Sequence, residues 1–246
     1  EANTEYHPID VPDWVPLTQE KGCEFSSTKL LGKYLAEVFK KNPTTTRLWS
    51  PDELESNKLD GTFEVTNRDF QWDPETRAKG GRVIEILSEH TCQGMMQGYT
   101  LTGRTGIFPS YESFLGIIHT MMVQYAKFIK MVSKFTLMYK IMSSSPSRPA
   151  KRSGGKMWLF SHQNPSFIGA VLNLKAKYAR VYLPPDANCM HETPVWLSAE
   201  DAAEHCKNGA SVWKFASTHD GENPDVVLVG IGTEVNFEVI TAVAML

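Results

Sequence analysis

Glu89 and Tyr111 have the side chains and the spacing for a site that handles a proton and holds a flat ring. Glu89 follows an almost unbroken apolar run in the segment GRVIEILSEH, and Tyr111 stands 22 positions further along. Such a run is typical of a strand covered on both faces in a parallel sheet, with Glu89 at its carboxyl end. Ligands bind at that end of open α/β sheets, so a carboxylate there is well placed for chemistry. A solvated loop acid gives the same pattern, and the run alone does not separate the two interpretations.

The elements that would position these residues alternate between helix and strand. Apolar residues repeat at helical spacing over about 26–41, with Ser26 or Ser27 as the cap and Asn42-Pro43 as the stop. The other predicted elements are a strand at 47–50, a helix from 110 to about 132, strands near 179–183 and 225–230, and helices near 198–207 and 235–246. Alternation of this kind predicts an α/β fold, a mostly parallel sheet with helices on both faces.

Composition and charge favour a cytoplasmic α/β protein. The chain has 246 residues, 41% of them hydrophobic, and a net charge of −3. A charge this small gives no global attraction to nucleic acid or acidic membranes. The apolar stretches are too short or too interrupted to cross a bilayer, and the first residues lack the features of a signal peptide. We therefore expect neither nucleic acid nor a membrane among the partners of the chain.

The four cysteines indicate neither a metal site nor a disulfide framework. They are Cys23, Cys92, Cys189 and Cys206, and no two form a C-x-x-C pair. Scattered cysteines are typical of reduced thiols in a reducing compartment, so we expect no metal site in this chain. The sequence also lacks an initiator Met and ends at ITAVAML without a helix-ending signal, which predicts a piece of a longer protein.

Six short strings together resemble one enzyme family. They are SPDELESNKL at 50–59, SEHTCQG at 88–94, GYTLTGR at 98–104, FPSYESF at 108–114, FSHQNPSF at 160–167 and RVYLPPDANC at 180–189. In this order they are similar to phosphoketolase, the thiamine diphosphate enzyme of sugar-phosphate cleavage, and most of all to its fungal members. The resemblance covers most of positions 20–246, and it implies a transketolase-like fold.

The resemblance also implies a division of the chain. Residues 1–22 would form a linker, 23–207 the pyrimidine-binding domain, and 208–246 the truncated start of a carboxyl-terminal transketolase-like domain. The family holds the diphosphate of thiamine diphosphate and its Mg²⁺ in an amino-terminal domain, whose G-D-G motif is absent from this sequence. The diphosphate and metal site are therefore expected outside this chain. A homo-oligomer, or association with a diphosphate-binding domain, is implied.

For Glu89 and Tyr111 the resemblance implies roles at the cofactor. Glu89 matches the family acid that lies beside N1′ of the aminopyrimidine, where a carboxylic acid favours the tautomer that removes the C2 proton. Tyr111 matches the aromatic residue that stacks on the pyrimidine ring. The alternative for Tyr111 is an aromatic residue that only packs in the core.

Four further residues match the sugar-phosphate site of the family. Ser56 and Lys58 lie in the S-N-[RK]-L loop, a hydroxyl and a cation suited to a phosphate group, and His162 and Gln163 lie in S-H-Q. His162 would hydrogen-bond the substrate or carry protons near neutral pH, and its alternative is a structural imidazole. The implied reaction cleaves xylulose 5-phosphate or fructose 6-phosphate with inorganic phosphate, giving acetyl phosphate and an aldose phosphate.

Departures from the family pattern leave a second interpretation open. Trp158 stands where the family has a substrate-contacting Asn, and Gln97 stands where it has an acid. The Ser, Pro and basic residues at 142–156 predict a mobile loop, and after Cys189 the chain omits about one strand and one helix that carry a phosphate-binding Lys. The second interpretation is therefore a catalytically inactive remnant that acts, if at all, by associating with intact subunits.

A third interpretation concerns the basic residues of the same loop. Arg148, Lys151, Arg152 and Lys156 form a run that a nucleic-acid or localisation patch would require. The run lacks interleaved aromatic residues and has the composition of a solvated loop. This interpretation is therefore disfavoured.

Overall fold

The computed structural model describes residues 6–70, 73–131, 164, 166–175, 179–185 and 193–246. Its helices are α1 (Ser27–Lys41), α2 (Pro74–Ala78), α3 (Glu89–Thr100), α4 (His119–Met131), α5 (Ser166–Asn173), α6 (Ala199–Asn208) and α7 (Thr233–Met245). Its strands are β1 (Glu24–Phe25), β2 (Thr46–Ser50), β3 (Val83–Glu85), β4 (Thr105–Ile107) and β5 (Thr193–Pro194). Short 3-10 helices lie at Val15–Leu17, Asp60–Glu64, Glu112–Ile118, Lys214–Ala216 and Thr218–Gly221. The protein has an α/β fold with a parallel three-stranded sheet and helices, which confirms the predicted fold class.

The chain divides into two compact units. One contains Glu1–Pro12 and Gly32–Val181, and the other contains Asp13–Leu31 and Tyr182–Leu246. The division falls inside α1, after Leu31. The three-stranded sheet lies in the first unit.

In the first unit, β2 is the central strand of the parallel sheet, whose order is β3-β2-β4. Leu48 pairs in register with Val83 on one side and with Ile107 on the other. The TRLWS sequence suits a central strand because its apolar residues are buried on both faces, with Leu48 0% and Trp49 2% exposed. The strand predicted at 47–50 is confirmed.

Both faces of the sheet are covered. α3 packs on β2 and β4, and Trp49, Ile84 and Met96 share one buried cluster on that side. Successive residues of a strand point to opposite faces, so Leu48 and Val83 face the other way, and both are 0% exposed. Each buried side chain of this size stabilises the fold by about 1.5–3 kcal/mol. The sheet is therefore a stable support for the loops that follow its strands.

α1 begins and ends where the sequence predicts. The backbone N–H of Leu30 donates to the carbonyl of Ser26, which places the start of the helix. Beyond the last helical residue, the Asn42 side chain donates to the carbonyls of Val38 and Asp10, at 2.8 Å each. Asn42 thereby satisfies a carbonyl at the helix C-terminus and fixes the segment around Asp10.

A fourth extended segment lies along the outer edge of β3. The backbone N–H of Asp69 donates to the carbonyl of Val83 at 2.7 Å. Gly81 permits this approach, because a Cβ at that position would lie 2.4 Å from the carbonyl oxygen of Arg68. The close contact places Arg68 beside β3.

Two predicted elements have different bounds in the structure. β3 ends at Glu85, and Leu87, predicted as part of a covered strand, is 88% exposed. The chain leaves the sheet at this point, because the backbone N–H of Ser88 donates to the carbonyl of Ile86 within a local turn. The helix predicted from 110 to 132 begins as a 3-10 helix, Glu112–Ile118, and becomes α-helical only at His119. Gly116, a weak α-helix former, lies in the 3-10 part.

Two predicted strands are wrong. Residues 179–183 and 225–230 have no strand hydrogen bonding to any described part of the chain. Val226, Val227 and Val229 are 69–72% exposed. Apolar and β-branched residues favour a strand only where a neighbouring strand is available to pair. Both segments have the apolar pattern of a strand, but no described segment pairs with them.

In its described part, the second unit contains a short antiparallel pair, the first residues of α1, the helices α6 and α7, and three 3-10 helices. Glu24 pairs with Pro194, and Phe25 with Thr193. Ser198 caps α6 by accepting the N–H of Asp201, and Gly209 follows the helix with φ +78°, the left-handed conformation that suits glycine. The helices predicted near 198–207 and 235–246 are confirmed as α6 and α7.

No helix in the described part of the chain is both long enough and apolar enough to span a membrane.

Candidate active site at the carboxyl edge of the sheet

Three segments with predicted site residues follow the three parallel strands directly. The loop with Ser56 and Lys58 follows β2, Glu89 follows β3, and Tyr111 follows β4. Parallel strands place their carboxyl ends at one edge of the sheet, with neighbours about 4.8 Å apart. The three segments therefore leave the sheet at the same edge, and the loop after β2 contacts the end of β3 through Leu54 and Glu85.

Glu89 is the first residue of α3 and is partly buried. Ser88 caps the helix by accepting the N–H of Thr91 at 3.2 Å. The sequence therefore starts the helix at this point and places the carboxylate at its N-terminus, where the helix dipole stabilises negative charge. Glu89 is thus a helix-terminal residue rather than a loop acid.

The buried thiol of Cys92 reports on the surroundings of Glu89. Its pKa is raised to about 12, first by burial and then by the carboxylates of Glu89 and Asp52. The sulfur also donates to the carbonyl of Ile86 at 3.4 Å, which works in the opposite direction. Two acidic side chains from the ends of β2 and β3 therefore lie near one dry position, and Asp52 was not predicted as part of the site.

Tyr111 precedes the 3-10 helix Glu112–Ile118 and is partly buried. Its ring meets the ring of Phe114 edge to face, with 6.2 Å between centroids. The 3-10 helix packs against α3, and its Leu115 and Ile118 share the buried cluster of Cys92. Tyr111 is therefore attached to the same core as the start of α3, although part of its surface is exposed.

The loop after β2 is anchored by two fully buried leucines. Leu54 and Leu59 are both 0% exposed, and the N–H of Leu59 donates to the carbonyl of Leu54 at 3.0 Å. The absence of a side chain at Gly32 lets α1 approach the loop backbone, because a Cβ there would lie 3.2 Å from the Cα of Leu59. The loop is therefore fixed at both ends.

The predicted phosphate-binding residues lie between these two anchors. The hydroxyl of Ser56 donates to the carbonyl of Glu53 at 2.7 Å, and Ser56 is exposed. Lys58 has φ +55°, a left-handed conformation that a lysine rarely adopts. Strained backbone of this kind persists only where the surrounding structure imposes it. The loop therefore has a defined backbone conformation at Lys58.

Glu85 organises the same loop, and the sequence did not identify it. It ends β3 with a side chain that is 11% exposed, and its carboxylate accepts hydrogen bonds from the N–H of Leu54 and from Arg68. The available signal was an acidic residue interrupting the apolar run RVIEIL. A charge within a buried strand is costly unless it is paired.

The remaining predicted site residues are not part of the described chain. His162 and Gln163 lie in the range 132–163, outside the described residues. Trp158 and the basic tract at 142–156 lie in the same range, and Cys189 lies in the range 186–192. The structure does not test what was predicted for them.

The opposite, amino edge of the sheet carries three arginines around one tyrosine. Arg47 lies near the start of β2, Arg82 precedes β3 and Arg104 precedes β4. The guanidinium carbons of Arg47 and Arg104 each lie 5.8 Å from the ring centroid of Tyr99. Burial raises the pKa of Tyr99, and the three guanidinium groups oppose that rise. The two edges of the sheet therefore differ in charge.

A groove of about 370 Å³ runs beside α3, with Trp49, Ile84, Met95, Tyr99 and Arg47 in its lining. The rings of Trp49 and Tyr99 meet at a tilt, 5.1 Å between centroids. Among the described residues predicted to bind cofactor or substrate, none lines this groove; these are Ser56, Lys58, Glu89 and Tyr111. It is a separate surface of the first unit.

These features define an α/β protein in which segments with an acid, an aromatic ring and a cation follow three parallel strands at one edge of the sheet. The family described as D-xylulose 5-phosphate/D-fructose 6-phosphate phosphoketolase matches residues 29–195, and the family described as its C-terminal domain matches residues 190–246. The chain belongs to the phosphoketolase family.

Similar proteins occur in a fungus and in bacteria. A probable phosphoketolase of Schizosaccharomyces pombe is 49% identical over 273 residues, which cover 100% of this chain and 32% of the relative. A probable phosphoketolase of Synechococcus elongatus is 39% identical, covering 89% of this chain and 31% of the relative. A probable phosphoketolase of Rhodopirellula baltica is 35% identical, covering 96% of this chain and 33% of the relative. The chain spans about a third of the length of these relatives.

Proposed function

We propose that this chain supplies the pyrimidine-binding side of the active site in a thiamine diphosphate-dependent phosphoketolase, a lyase of carbohydrate metabolism. The main support is that Glu89, Tyr111 and the loop with Lys58 follow three adjacent parallel strands at one sheet edge. When bound, the cofactor supplies the carbon nucleophile for cleavage of a ketose phosphate. The side chains of this chain hold a proton, a ring and a phosphate group around that nucleophile.

Glu89 fits the position beside the ring nitrogen N1′ of the aminopyrimidine. Its carboxylate stands at a helix N-terminus next to the buried, neutral thiol of Cys92. A carboxyl group beside a ring nitrogen can donate a proton to it or accept one from it. Glu89 would hold that proton on N1′ and so set the tautomer of the ring.

Tyr111 fits the face of the same ring. An aromatic side chain binds a heterocycle by stacking at low conformational cost. The edge contact with Phe114 limits how far the ring of Tyr111 can turn. Glu89 would fix the edge of the pyrimidine while Tyr111 covers its face.

Ser56 and Lys58 fit the phosphate end of the sugar substrate. A lysine ammonium acts on phosphate as a point charge, and a hydroxyl adds a directed hydrogen bond. We assign xylulose 5-phosphate or fructose 6-phosphate as the substrate, with inorganic phosphate as the second reactant and acetyl phosphate as a product. His162 and Gln163 are proposed to complete the substrate site.

The other half of the cofactor needs a different part of the enzyme. In the described ranges, no three His, Cys, Asp or Glu side chains gather closely enough to hold a metal ion. On the family resemblance we assign the diphosphate and its Mg²⁺ to a diphosphate-binding domain outside this chain, reached by a homo-oligomer or by another part of the same protein. Cys23, Cys92 and Cys206 are free thiols, which suits a cytoplasmic enzyme.

The test combines this chain with a diphosphate-binding domain of the family, titrates the assembly with thiamine diphosphate and Mg²⁺, and assays acetyl phosphate formation from xylulose 5-phosphate. We expect binding and product formation, with both reduced in Glu89→Gln. Binding that is the same in Glu89→Gln and in the unchanged protein would contradict the role of this acid. Fructose 6-phosphate assayed in parallel measures the sugar preference.

One observation favours the catalytically inactive remnant as a second candidate. The alignment with the Schizosaccharomyces pombe relative is 273 residues long and the chain has 246, so the relative has segments without a counterpart here. If the remnant candidate is right, the chain forms no acetyl phosphate and instead co-purifies with intact phosphoketolase subunits. Acetyl phosphate formation by the chain contradicts it.

A further inference from the structure

Glu85 occupies a place in the strand that a charged residue takes only with partners. It is the last residue of β3, and its side chain is 11% exposed. Removing a carboxylate from water costs several kcal/mol unless hydrogen bonds and an opposite charge replace the water. The partners of Glu85 therefore show what this residue holds in place.

Both carboxylate oxygens of Glu85 have partners. Oε1 accepts the backbone N–H of Leu54 at 2.7 Å, and Oε2 accepts Nε of Arg68 at 2.5 Å. Hydrogen bonds of this charge-assisted type are about twice as strong as neutral ones. One side chain thus joins β3, the loop after β2 and the segment at the outer edge of the sheet.

The hydrogen bond from Leu54 to Glu85 fixes the first residue of the segment 54–59, which carries Ser56 and Lys58. Leu54 is buried, its carbonyl accepts the N–H of Leu59, and Ser56 and Lys58 lie between them. The left-handed backbone of Lys58 leaves this short loop little freedom. Displacing the N–H of Leu54 therefore displaces the cation as well.

The bond to Arg68 holds a second side of the loop. The guanidinium of Arg68 stacks over the ring of Phe63, 4.2 Å from its centroid, and reaches Glu55 of the loop at 3.3 Å. Glu55 is 61% exposed, so its pair with Arg68 is much weaker than the pair with Glu85. Hydrogen bonding to Glu85 raises the pKa of Arg68.

We propose that Glu85 is a positioning residue for phosphate recognition, which sets the place of Ser56 and Lys58 through Leu54 and Arg68. The proposal rests on the phosphate-binding role given above to Ser56 and Lys58. Glu85 does not touch the phosphate group itself. It fixes the backbone that presents the hydroxyl and the cation.

The experiment compares three variants of the protein in a calorimetric titration with inorganic phosphate. Glu85→Gln keeps the shape of the side chain, but its amide can accept from only one of the two donors, so we expect phosphate affinity to fall about tenfold. Glu55→Gln is the matched control, because it removes only the charge of the exposed pair with Arg68, and we expect a change of less than about twofold. Lys58→Met removes the cation and tests the proposed function directly.

Amide hydrogen exchange at Leu54 gives a readout that does not depend on phosphate. We expect exchange at Leu54 to accelerate about tenfold or more in Glu85→Gln and to stay unchanged in Lys58→Met. If Glu85→Gln does not fold, Arg68→Lys takes its place, since lysine keeps the charge but lacks the Nε donor. Reduced phosphate affinity in Arg68→Lys then supports the proposal, and full affinity overturns it.

The outcomes separate the two proposals. Phosphate affinity that falls in both Lys58→Met and Glu85→Gln supports both. Affinity lost in Lys58→Met but retained in Glu85→Gln overturns the role of Glu85 alone. A protein whose phosphate affinity is unchanged by Lys58→Met contradicts the proposed function, and with it the role of Glu85 in phosphate recognition.

Discussion

The two edges of the parallel sheet use charged residues in different ways. At the amino edge, Arg82 donates to the carbonyls of Phe39 and Asn42 at 2.8 and 3.2 Å and stacks over the Phe39 ring, and Arg47 pairs with Asp69. These arginines make contacts within the chain that stabilise the fold. At the carboxyl edge the partly buried Glu89 starts a helix and Lys58 lies on a strained loop. A charged side chain therefore does not by itself indicate a binding or catalytic site. Its contacts decide whether its role is structural or functional.

The largest effect expected at the carboxyl edge follows removal of the charge of Glu89. Glu89→Gln should lower the rate of acetyl phosphate formation by about 10²–10⁴, because a carboxyl group that handles a proton contributes this much. Its free energy of unfolding should change by less than about 1 kcal/mol, since only a helix-dipole interaction is lost. Steady-state assays and chemical denaturation measure the two quantities. A large loss of stability with little loss of rate would make Glu89 a structural residue.

The thiol of Cys92 tests whether the carboxyl edge is dry. Its pKa of about 12 lies above the usual 9.0, so the folded protein keeps a proton that the unfolded chain loses. The contribution of Cys92 to stability is therefore full below about pH 9 and is lost as the pH rises towards 12. At pH 8 we expect alkylation of Cys92 to be about 1000-fold slower than that of the exposed Cys206.

Mass spectrometry of the labelled peptides measures the alkylation of both cysteines. Denaturant should make Cys92 as reactive as Cys206, which serves as the control. Equal labelling of the two cysteines in the folded protein would show that water reaches the start of α3.

At the amino edge the expected effect is on stability. Arg82→Met removes two hydrogen bonds to backbone carbonyls while keeping most of the packing against Phe39, and should lower the free energy of unfolding by about 2 kcal/mol. Arg77→Met is the control at an exposed arginine of α2, with an expected change within about 0.5 kcal/mol. Both are measured by urea denaturation. An equal effect of the two variants would show that the hydrogen bonds of Arg82 to the backbone do not stabilise the fold.

The smallest expected effect separates strain from charge at Lys58. Lys58→Gly relieves the left-handed backbone and should raise the free energy of unfolding by about 1 kcal/mol, while phosphate affinity falls. Lys58→Met loses the charge but keeps the strain, so its affinity should fall without a gain in stability. Thermal denaturation and phosphate titration of the two variants measure the difference. A Gly variant that is no more stable than the Met variant would show that the backbone is relaxed.

The sequence predicted the elements whose pattern is local. The helical repeat before Asn42, the strand at 47–50 and the helix near 198–207 each depend on residues close in sequence, and each is found in the structure. The apolar segment at 225–230 has a strand pattern too, but a strand also needs a neighbour, which local pattern does not reveal. Local sequence therefore predicted helices better than strands.

The candidate site was predicted only in part for a related reason. Family resemblance pointed to Glu89, Tyr111 and Lys58, and the strand order explains how they reach one edge. Glu85 was missed because its partners, Leu54 and Arg68, are 31 and 17 positions away. No spacing rule connects such distant residues, whereas the physical cost of an unpaired charge within a buried strand would have raised the question.

The place of β2 in the sheet has a consequence for biosynthesis. β2 is the first of the three parallel strands to be translated, yet it is the middle one, and its Leu48 meets partners 35 and 59 positions later. Long-range pairings of this kind form slowly because a large loop must close first. On the ribosome we expect the nascent TRLWS segment to remain unpaired, with its apolar side chains exposed, until residue 107 has left the exit tunnel. The segment is therefore a natural substrate for a chaperone.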